Sequence, residues 1–282
     1  MIEPVTAGAA LLRSVDTAPS SGASAVRLGH SGVLLRFQTA TVIVDPYLCD
    51  GAEAGSSARP ARPHAARAPL DPAEIDCADL ILCTSGHFDH FDGPTLRLLR
   101  DASPSATLVC PNLCIERTDD LGWPGSRVAG MSDGDVIMTR GLRITAFEVA
   151  SAKLEGHRDE RWLGYAIHAG DLTVVHVGNG RATRKLAARI RSLRPDVAFL
   201  PISGNGRRER TDGVAPGMSA AEAVELAVEA GTCLVIPQRY DVFTAGGGQA
   251  ALAEFERHVA EAGLPARTAR VGELIVIEGV QP

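Results

Sequence analysis

The sequence is poor in aromatic residues, since tryptophan, tyrosine and phenylalanine together make up only 4% of its 282 positions. Hydrophobic residues still make up 45%, so a sizeable core must be built mainly from valine, leucine, isoleucine and alanine. No apolar run approaches the roughly 20 residues that a membrane-spanning helix needs. The first 24 residues lack the basic start and sustained apolar stretch of a secretion signal. We therefore expect a cytoplasmic protein without a membrane partner.

Basic residues are also fewer than acidic residues. The chain has 28 basic and 34 acidic residues, a net charge of −6, which argues against nucleic acid as a partner because phosphate binding needs a basic surface. None of the six cysteines belongs to a C-x-x-C pair, and a chain of this length without a secretion signal is not expected to form a disulfide framework. Cys83 and Cys233 lie in apolar runs, where cysteine packs as a small hydrophobic residue. We expect reduced thiols and a small-molecule ligand or substrate, and the oligomeric state is not indicated.

The hydrophobic pattern predicts an α/β fold. Strands are mostly consecutive in the first half, whereas strand–helix units dominate the second half, and no repeat is visible. Strands are predicted at 26–28, 33–37, 41–45, 79–83, 107–110, 135–138, 142–149, 163–168, 172–177, 196–201, 233–237 and 273–277. Helices are predicted at 94–99, 182–193, 219–230 and 249–262. Two packed mixed sheets with helices on the outer faces, an αββα sandwich, would accommodate both halves.

Two segments fall outside this regular pattern. Residues 1–24 are predicted to be a flexible N-terminal arm that precedes a single domain over residues 25–282. Residues 51–70 are rich in alanine, arginine, proline and glycine and show no periodicity. Loops of this length are usually functional or disordered, so this segment is either a lid over the site or a disordered loop.

The densest group of metal-ligand side chains is the segment HFDH at positions 87–90. It directly follows a predicted strand, which is where α/β proteins place their active sites. The side chains of His87, Asp89 and His90 offer the nitrogen and oxygen ligands that zinc takes at about 2.0–2.2 Å. By spacing alone, the alternative interpretation is a loop in which Asp89 caps the next helix and both histidines face solvent.

Seven short motifs follow one another along the chain. They are LGHSGVLL from Leu28, VDPY from Val44, DLILCT from Asp79 leading into HFDH, VHVGN from Val175, FLPIS from Phe199, MSAAE from Met218 and VIPQRY from Val235. In this order and at these intervals they resemble the metallo-β-lactamase superfamily, and within it the branch that includes ascorbate-6-phosphate lactonase. The resemblance extends from about residue 26 to residue 277. It implies the αββα sandwich and a hydrolase that uses one or two catalytic metals.

The family's metal-binding pattern is H-x-H-x-D-H, then G-D, then P-x-H, and this sequence keeps only part of it. His87, Asp89 and His90 match the first motif. The remaining family positions hold other residues: Ser85 for the first histidine, Asn179 for the bridging aspartate and Arg239 for the last histidine. Near residues 150–153, where the family has another ligand, there is no histidine, and His157 is the nearest candidate.

These exchanges change the chemistry of the site. Ser85 coordinates metals only weakly, and Asn179 lacks the negative charge that holds two cations together. Arg239 is not deprotonated in proteins, so it cannot act as a ligand and would repel a metal beside it. We therefore expect no tightly bound metal, and at most one weakly bound zinc or manganese ion on His87, Asp89 and His90.

The loss of ligands has two interpretations. One is decay to a non-catalytic protein that binds a small molecule in the old cleft. The other is replacement, in which the Arg239 guanidinium occupies the metal's volume, pairs with Asp89 and stabilises an oxyanion, while His87 or His90 moves protons. In that interpretation His87, Asp89, His90 and Arg239 are the predicted catalytic residues.

The predicted substrate-binding residues come from four separate segments of the chain: Ser85, Asn179, Arg207 and Tyr240. Three functions stay open at this point. The first is a hydrolase for a small, anionic ester, lactone or phosphoester with an altered, metal-poor site. The second is a non-catalytic small-molecule-binding protein, and the third is an ordinary metal-dependent hydrolase.

Overall fold

Two β-sheets pack face to face in the computed structural model, which describes residues 2–17, 19–49, 66–149, 162–203, 217–241 and 248–278. The strands within these ranges are β1 (Ala23–Gly29), β2 (Gly32–Arg36), β3 (Thr41–Val44), β4 (Leu80–Leu82), β5 (Thr107–Pro111), β6 (Val128–Met131), β7 (Val136–Thr139), β8 (Leu142–Val149), β9 (Trp162–Ala169), β10 (Leu172–His176), β11 (Val197–Pro201), β12 (Leu234–Gln238) and β13 (Leu274–Ile277). One sheet has the order β13-β1-β2-β3-β4-β5-β6 and the other has the order β12-β11-β10-β9-β8-β7.

Both sheets are mixed. In the seven-stranded sheet β3 to β6 run parallel, while β1 pairs antiparallel with both β2 and β13. In the six-stranded sheet β10, β11 and β12 run parallel, and β7 to β10 form an antiparallel meander. Each sheet therefore has three or more parallel strands whose carboxyl ends meet at one edge, where α/β proteins hold their ligands.

Helices cover the outer faces of both sheets. They are α1 (Gly8–Asp16), α2 (Gly93–Ala102), α3 (Ile115–Asp120), α4 (Arg184–Leu193), α5 (Ala220–Ala230) and α6 (Gly248–Ala262). Residues of α1 and α2 share a buried cluster with the seven-stranded sheet, and residues of α4, α5 and α6 share one with the six-stranded sheet. The predicted αββα sandwich is confirmed.

Side-chain alternation along the strands separates the core into layers. In β2, Val33 and Leu35 point between the two sheets, whereas Leu34 points towards the helices. The central layer contains mostly aliphatic side chains, as the shortage of aromatic residues predicts. Tyr165 is an exception, and its buried hydroxyl donates a hydrogen bond to the Cys83 carbonyl oxygen at 2.9 Å.

The prediction of a loose N-terminal arm was wrong for residues 8–16, which form α1. Its Leu11 and Val15 side chains are fully buried against the seven-stranded sheet. The first strand also begins at Ala23, inside the predicted arm. Packing against a distant sheet face stabilises this short helix, and the local sequence gives little sign of it because no side chain caps its amino end.

The structure also bears on the predictions for the cysteines and for the segment at 51–70. Cys233 is exposed and lies just before β12, so it is not a core residue, whereas Cys83 is buried. The six cysteines all lie within the described ranges, and none of them forms a disulfide there. Most of the predicted lid at 51–70, namely residues 51–65, lies outside the described residues. Its end is packed, since Leu70 is buried and the Pro69 carbonyl oxygen accepts a hydrogen bond from Gly8 at 2.9 Å. Within the ranges given above, no helix has the length and apolar character that crossing a membrane requires.

Candidate functional site

The candidate site forms where loops leave both sheets at the carboxyl ends of their parallel strands. Asp45 follows β3, the HFDH loop follows β4, and Arg239 follows β12. His30 joins them from the tight turn between β1 and β2. These residues are far apart in the chain, and the sheet topology brings them together.

The guanidinium of Arg239 lies at the centre of this group. Its Nη1 atom is 3.1 Å from Asp89 Oδ2, 2.7 Å from His90 Nε2 and 3.4 Å from His30 Nδ1. All four side chains are buried, and that of Arg239 is only 1% exposed. The contact between Arg239 and Asp89 that the replacement interpretation requires is therefore present.

Asp45 fixes the orientation of His90. Its Oδ2 atom lies 2.6 Å from His90 Nδ1, and the same carboxylate accepts hydrogen bonds from the Thr84 backbone amide and hydroxyl, each at 2.7 Å. Since Nδ1 donates to Asp45, the lone pair of Nε2 is free to accept the hydrogen bond from Arg239. His90 is thus held by an anion on one side and a cation on the other.

The buried charges also determine protonation in the cluster. Burial, reinforced by the Arg239 cation, lowers the pKa of His30 to about 4, so this imidazole is neutral at physiological pH. Burial would raise the pKa of Asp89, but the Arg239 cation and the hydrogen bond from His30 outweigh it and hold that pKa well below its usual range. The site therefore combines an ionised carboxylate, a neutral imidazole and a permanent cation.

The backbone is strained at the same place. His30, Asp45 and Arg239 have φ angles of 55°, 47° and 63°, in the left-handed region that residues other than glycine seldom adopt. Such residues cost of order 1–3 kcal/mol each and persist where the surroundings hold them, often at functional sites. Three of the five residues of this kind in the described ranges lie in this one cluster.

A second buried ion pair supports the loop that carries Arg239. Arg27 Nη1 and Nη2 donate to the Asp241 carboxylate at 2.8 and 2.6 Å, and the Arg27 guanidinium lies 4.3 Å from the Tyr240 ring centre. Asp241 also accepts a hydrogen bond from the His30 amide at 3.3 Å, while the Arg239 amide donates to the His30 carbonyl oxygen at 3.0 Å. The Arg27–Asp241 pair joins β1 of one sheet to the segment after β12 in the other, and we call it the inter-sheet clamp.

The predicted site residues outside the cluster have different surroundings. His87 is half-buried and packs its ring at 5.0 Å from the Trp162 ring, so it does not join Asp89 and His90 in a common ligand group. The chain turns between them, with both His90 and Phe91 amides donating to the His87 carbonyl oxygen. Ser85 is buried, and its hydroxyl accepts from the His87 amide at 3.3 Å.

Asn179, Tyr240 and Arg207 complete the predicted set. Asn179 is buried in the loop after β10, at the same sheet edge as the cluster. It follows Gly178, where an added Cβ would lie 2.6 Å from Thr84 Oγ1, so only glycine allows the two sheets to approach this closely. The Tyr240 hydroxyl donates to the Ala269 carbonyl oxygen at 2.7 Å, on the side of the inter-sheet clamp. Arg207 lies outside the described residues.

The fit of a metal to this site depends on Arg239. Within the described ranges, the candidate ligand group is His30, Asp89 and His90, whose donor atoms all lie within 4.8 Å of one another. A guanidinium nitrogen already lies among these donors, at hydrogen-bonding distance. A divalent cation cannot share that volume with a permanent cation, so a metal does not fit while Arg239 keeps this position.

Sequence analysis missed His30 and Asp45 as site residues. Both belong to motifs that carry the family resemblance, GHS and VDP, but neither lies near the HFDH segment in sequence. The signal that could have identified them is a charged or imidazole side chain placed directly after a fully apolar strand end. Such a side chain needs a buried hydrogen-bond or charge partner. Here the partners come from loops that follow other strands, since Asp45 contacts His90 and His30 contacts Asp89.

The comparisons with known proteins agree with the fold. A family model described as "Beta-lactamase superfamily domain" matches residues 26–239. A "Probable L-ascorbate-6-phosphate lactonase UlaG" from Escherichia fergusonii is 24% identical over 190 residues, 62% of this chain and 52% of that protein. The chain thus matches about half the length of this relative. A "UPF0173 metal-dependent hydrolase" from Methanosphaerula palustris is 27% identical over 224 residues, 77% of this chain and 83% of that protein.

Solved structures share the fold at low sequence identity. A metallo hydrolase from the hyperthermophilic archaeon Ignicoccus hospitalis superposes with a TM-score of 0.65 at 18% identity, covering 91% of this chain and 98% of its own. An isothiocyanate hydrolase from Delia radicum gut bacteria superposes with a TM-score of 0.69 at 15% identity, covering 91% and 99%. Because the family model covers most of the chain, from β1 to Arg239 itself, this protein belongs to the metallo-β-lactamase superfamily.

Proposed function

We propose that this protein is a hydrolase for a small anionic ester, lactone or phosphoester, in which the Arg239 guanidinium takes the place of a catalytic metal. The observation that carries the proposal is the position of Arg239 Nη1 between Asp89 Oδ2 and His90 Nε2, at 3.1 and 2.7 Å. A fixed cation in a water-poor site stabilises negative charge that develops on a reacting oxygen.

Arg239 also has unused hydrogen-bonding capacity. Its Nε atom is buried and has no hydrogen-bond partner within the described part of the chain. A buried donor without a partner costs roughly 1–3 kcal/mol, and a carboxylate, phosphate or developing oxyanion of the substrate would satisfy it. This supports an anionic substrate, and the name of the lactonase relative, which refers to a phosphorylated lactone, is in keeping with that class.

The histidines supply the proton chemistry in this proposal. His90 is oriented by Asp45, as the imidazole of a general base must be, but its Nε2 atom contacts Arg239, so it acts only on a group that enters beside the guanidinium. The neutral His30 imidazole contacts Asp89 through its Nε2 atom at 3.1 Å and holds that carboxylate beside the guanidinium. His87 is half-buried next to Trp162, which leaves it the more accessible histidine for contact with substrate.

The second candidate, a non-catalytic binding protein, is favoured by one observation. Arg239, Asp89, His90 and His30 are each no more than 4% exposed and contact one another. A cluster that is this closed to solvent can also be explained as a structural remnant, although a buried ion pair contributes little net stability over apolar residues.

The test is hydrolysis by the full chain after dialysis against a chelator. A panel of lactones, carboxylate-bearing esters and phosphoesters is assayed, with metal content measured in the same samples. We expect turnover that persists without metal, and a fall in kcat of about 10²–10³-fold in Arg239→Ala, which is the usual cost of removing one oxyanion-stabilising donor.

Arg257→Ala is the matched control, because Arg257 pairs with Glu261 on the exposed face of α6. It should leave kcat unchanged. Turnover that appears only when metal is added back would establish an ordinary metal-dependent hydrolase instead. Binding of panel compounds without any turnover would establish the binding protein.

A further inference from the structure

We propose that Arg239 closes a three-ligand metal site formed by His30, Asp89 and His90, and that removing its side chain opens this site to a divalent transition metal such as zinc. The inference rests on the proposed function only in treating Arg239 as the resident cation. The proposed metal site differs from the family pattern, because His30 comes from the β1–β2 turn and does not occupy a position of that pattern.

The donor atoms already converge on one point. They lie within 4.8 Å of one another, and Arg239 Nη1, which lies among them, is 2.7 to 3.4 Å from His90 Nε2, Asp89 Oδ2 and His30 Nδ1. Zinc takes nitrogen and oxygen ligands at about 2.0–2.2 Å. An ion at this point therefore requires each donor to move inward by about 1 Å, a shift within the reach of side-chain rotation.

The surroundings of the donors are those of a metal site. His90 donates its other ring nitrogen to Asp45, and that carboxylate is itself held by two hydrogen bonds from Thr84. Metal-bound histidines generally make such a contact to a carboxylate, which fixes the tautomer and the ring orientation. Two imidazoles and one carboxylate leave a fourth position open, as at catalytic zinc.

Arg239 is what prevents binding in the natural protein. Its guanidinium is a cation that occupies the volume between the donors and repels a second cation. The residue thus acts as an intramolecular competitor for the metal. With a neutral, shorter side chain at position 239, the same three donors face an open volume.

Zinc titration of full-length variants tests this inference, with a chromophoric chelator as competitor. We expect Arg239→Ala to bind one zinc ion per chain at least 100-fold more tightly than the natural protein. Arg239→Lys, which keeps the cation, should bind no better than the natural protein. Adding His30→Ala to Arg239→Ala should lower the affinity by 10-fold or more, whereas adding His87→Ala should leave it unchanged.

Arg239→Gly guards against a folding failure, because glycine suits the φ of 63° at this position. If either variant is unstable, zinc should raise its Tm, and the rise should increase with the zinc concentration. Folded Arg239 variants that bind zinc no better than the natural protein overturn the inference, as does zinc binding that depends on His87 and not on His30. The proposed function is tested separately, by metal-free turnover of the natural protein, so either can fail alone.

Discussion

At the scale of single residues, the contacts of Arg239 predict a large energetic effect. Arg239→Ala leaves the Asp89 carboxylate buried without its cation, and breaking a buried pair in this way typically costs about 3–5 kcal/mol. Urea denaturation should show this loss in the free energy of unfolding. Adding Asp89→Asn should recover part of it, because no unpaired charge then remains.

The control for this measurement is Arg257→Ala, which removes an exposed pair on α6 and should change the free energy of unfolding by no more than about 1 kcal/mol. An Arg239→Ala variant as stable as this control would show that Asp89 does not depend on the guanidinium. The cluster would then be better described as a decayed metal site.

His30 predicts a pH dependence of stability. Its pKa is about 4 in the folded protein and about 6.5 in an unfolded chain. Between these values the unfolded chain binds one more proton, so the contribution of this group to stability is lost as pH falls from about 6.5 to 4. The difference of roughly 2.5 units corresponds to about 3 kcal/mol.

The measurement compares the natural protein with His30→Asn from pH 4 to 7, because asparagine tolerates the left-handed backbone at this position. The comparison is needed since Asp92, whose pKa burial raises to about 6, has the opposite slope in much of the same window. We expect the difference in unfolding free energy between the two proteins to shrink by about 3 kcal/mol as pH falls. A pH-independent difference would contradict a neutral, buried His30.

At the scale of secondary-structure elements, the inter-sheet clamp predicts that residues just outside the cluster control it. Asp241→Asn keeps the shape of the side chain but leaves Arg27, only 5% exposed, without its anion. We expect a loss of about 3–5 kcal/mol in unfolding free energy. Because Asp241 also accepts from the His30 amide, the His30 ring resonances should shift as well.

Lys185→Ala provides the comparison, since Lys185 is 82% exposed and pairs with Glu148 on the surface. It should cost no more than about 1 kcal/mol and leave the His30 resonances in place. If Asp241→Asn behaves like Lys185→Ala, the clamp does not position the site.

Elements could be predicted from the sequence where local patterns are sufficient. The helix predicted from residue 219 is present as α5, and Ser219 and Glu222 form a capping box at its start. Strand β6 was missed because its sequence VAGM is short and contains glycine, and α1 was missed because only its packing against a distant sheet stabilises it. The HFDH segment lies in the site, but its partners His30 and Asp45 are 60 and 45 positions away from His90 in sequence. Only the sheet topology brings them together.

At the scale of the whole molecule, the altered site predicts the metal content of the protein. With a guanidinium among its donors, the purified chain should carry well under one tightly bound transition metal. Elemental analysis after dialysis without chelator measures this directly. Two metals per chain would contradict the prediction and restore the ordinary metallohydrolase.

Restoring the family's ligands shows whether the fold still supports the family's metal site. Ser85→His, Asn179→Asp and Arg239→His together restore the family pattern at three positions. They remove one positive charge and add one negative charge, a change of −2 that favours divalent cations. We expect zinc binding to rise sharply in this triple variant, as measured by chelator competition and by metal content after dialysis. The new histidine at position 85 must fit a buried site, so some loss of stability from overpacking is expected as well.

The double variant with Ser85→His and Asn179→Asp, but with Arg239 retained, is the decisive comparison. It carries two of the three restored residues and the same overpacking, and differs from the triple variant only at position 239. Because the guanidinium still lies between Asp89 and His90, we expect this double variant to remain poor in metal. If it binds zinc as tightly as the triple variant, the cation at position 239 does not block the site. The loss of the histidine and the aspartate would then be sufficient to explain the missing metal.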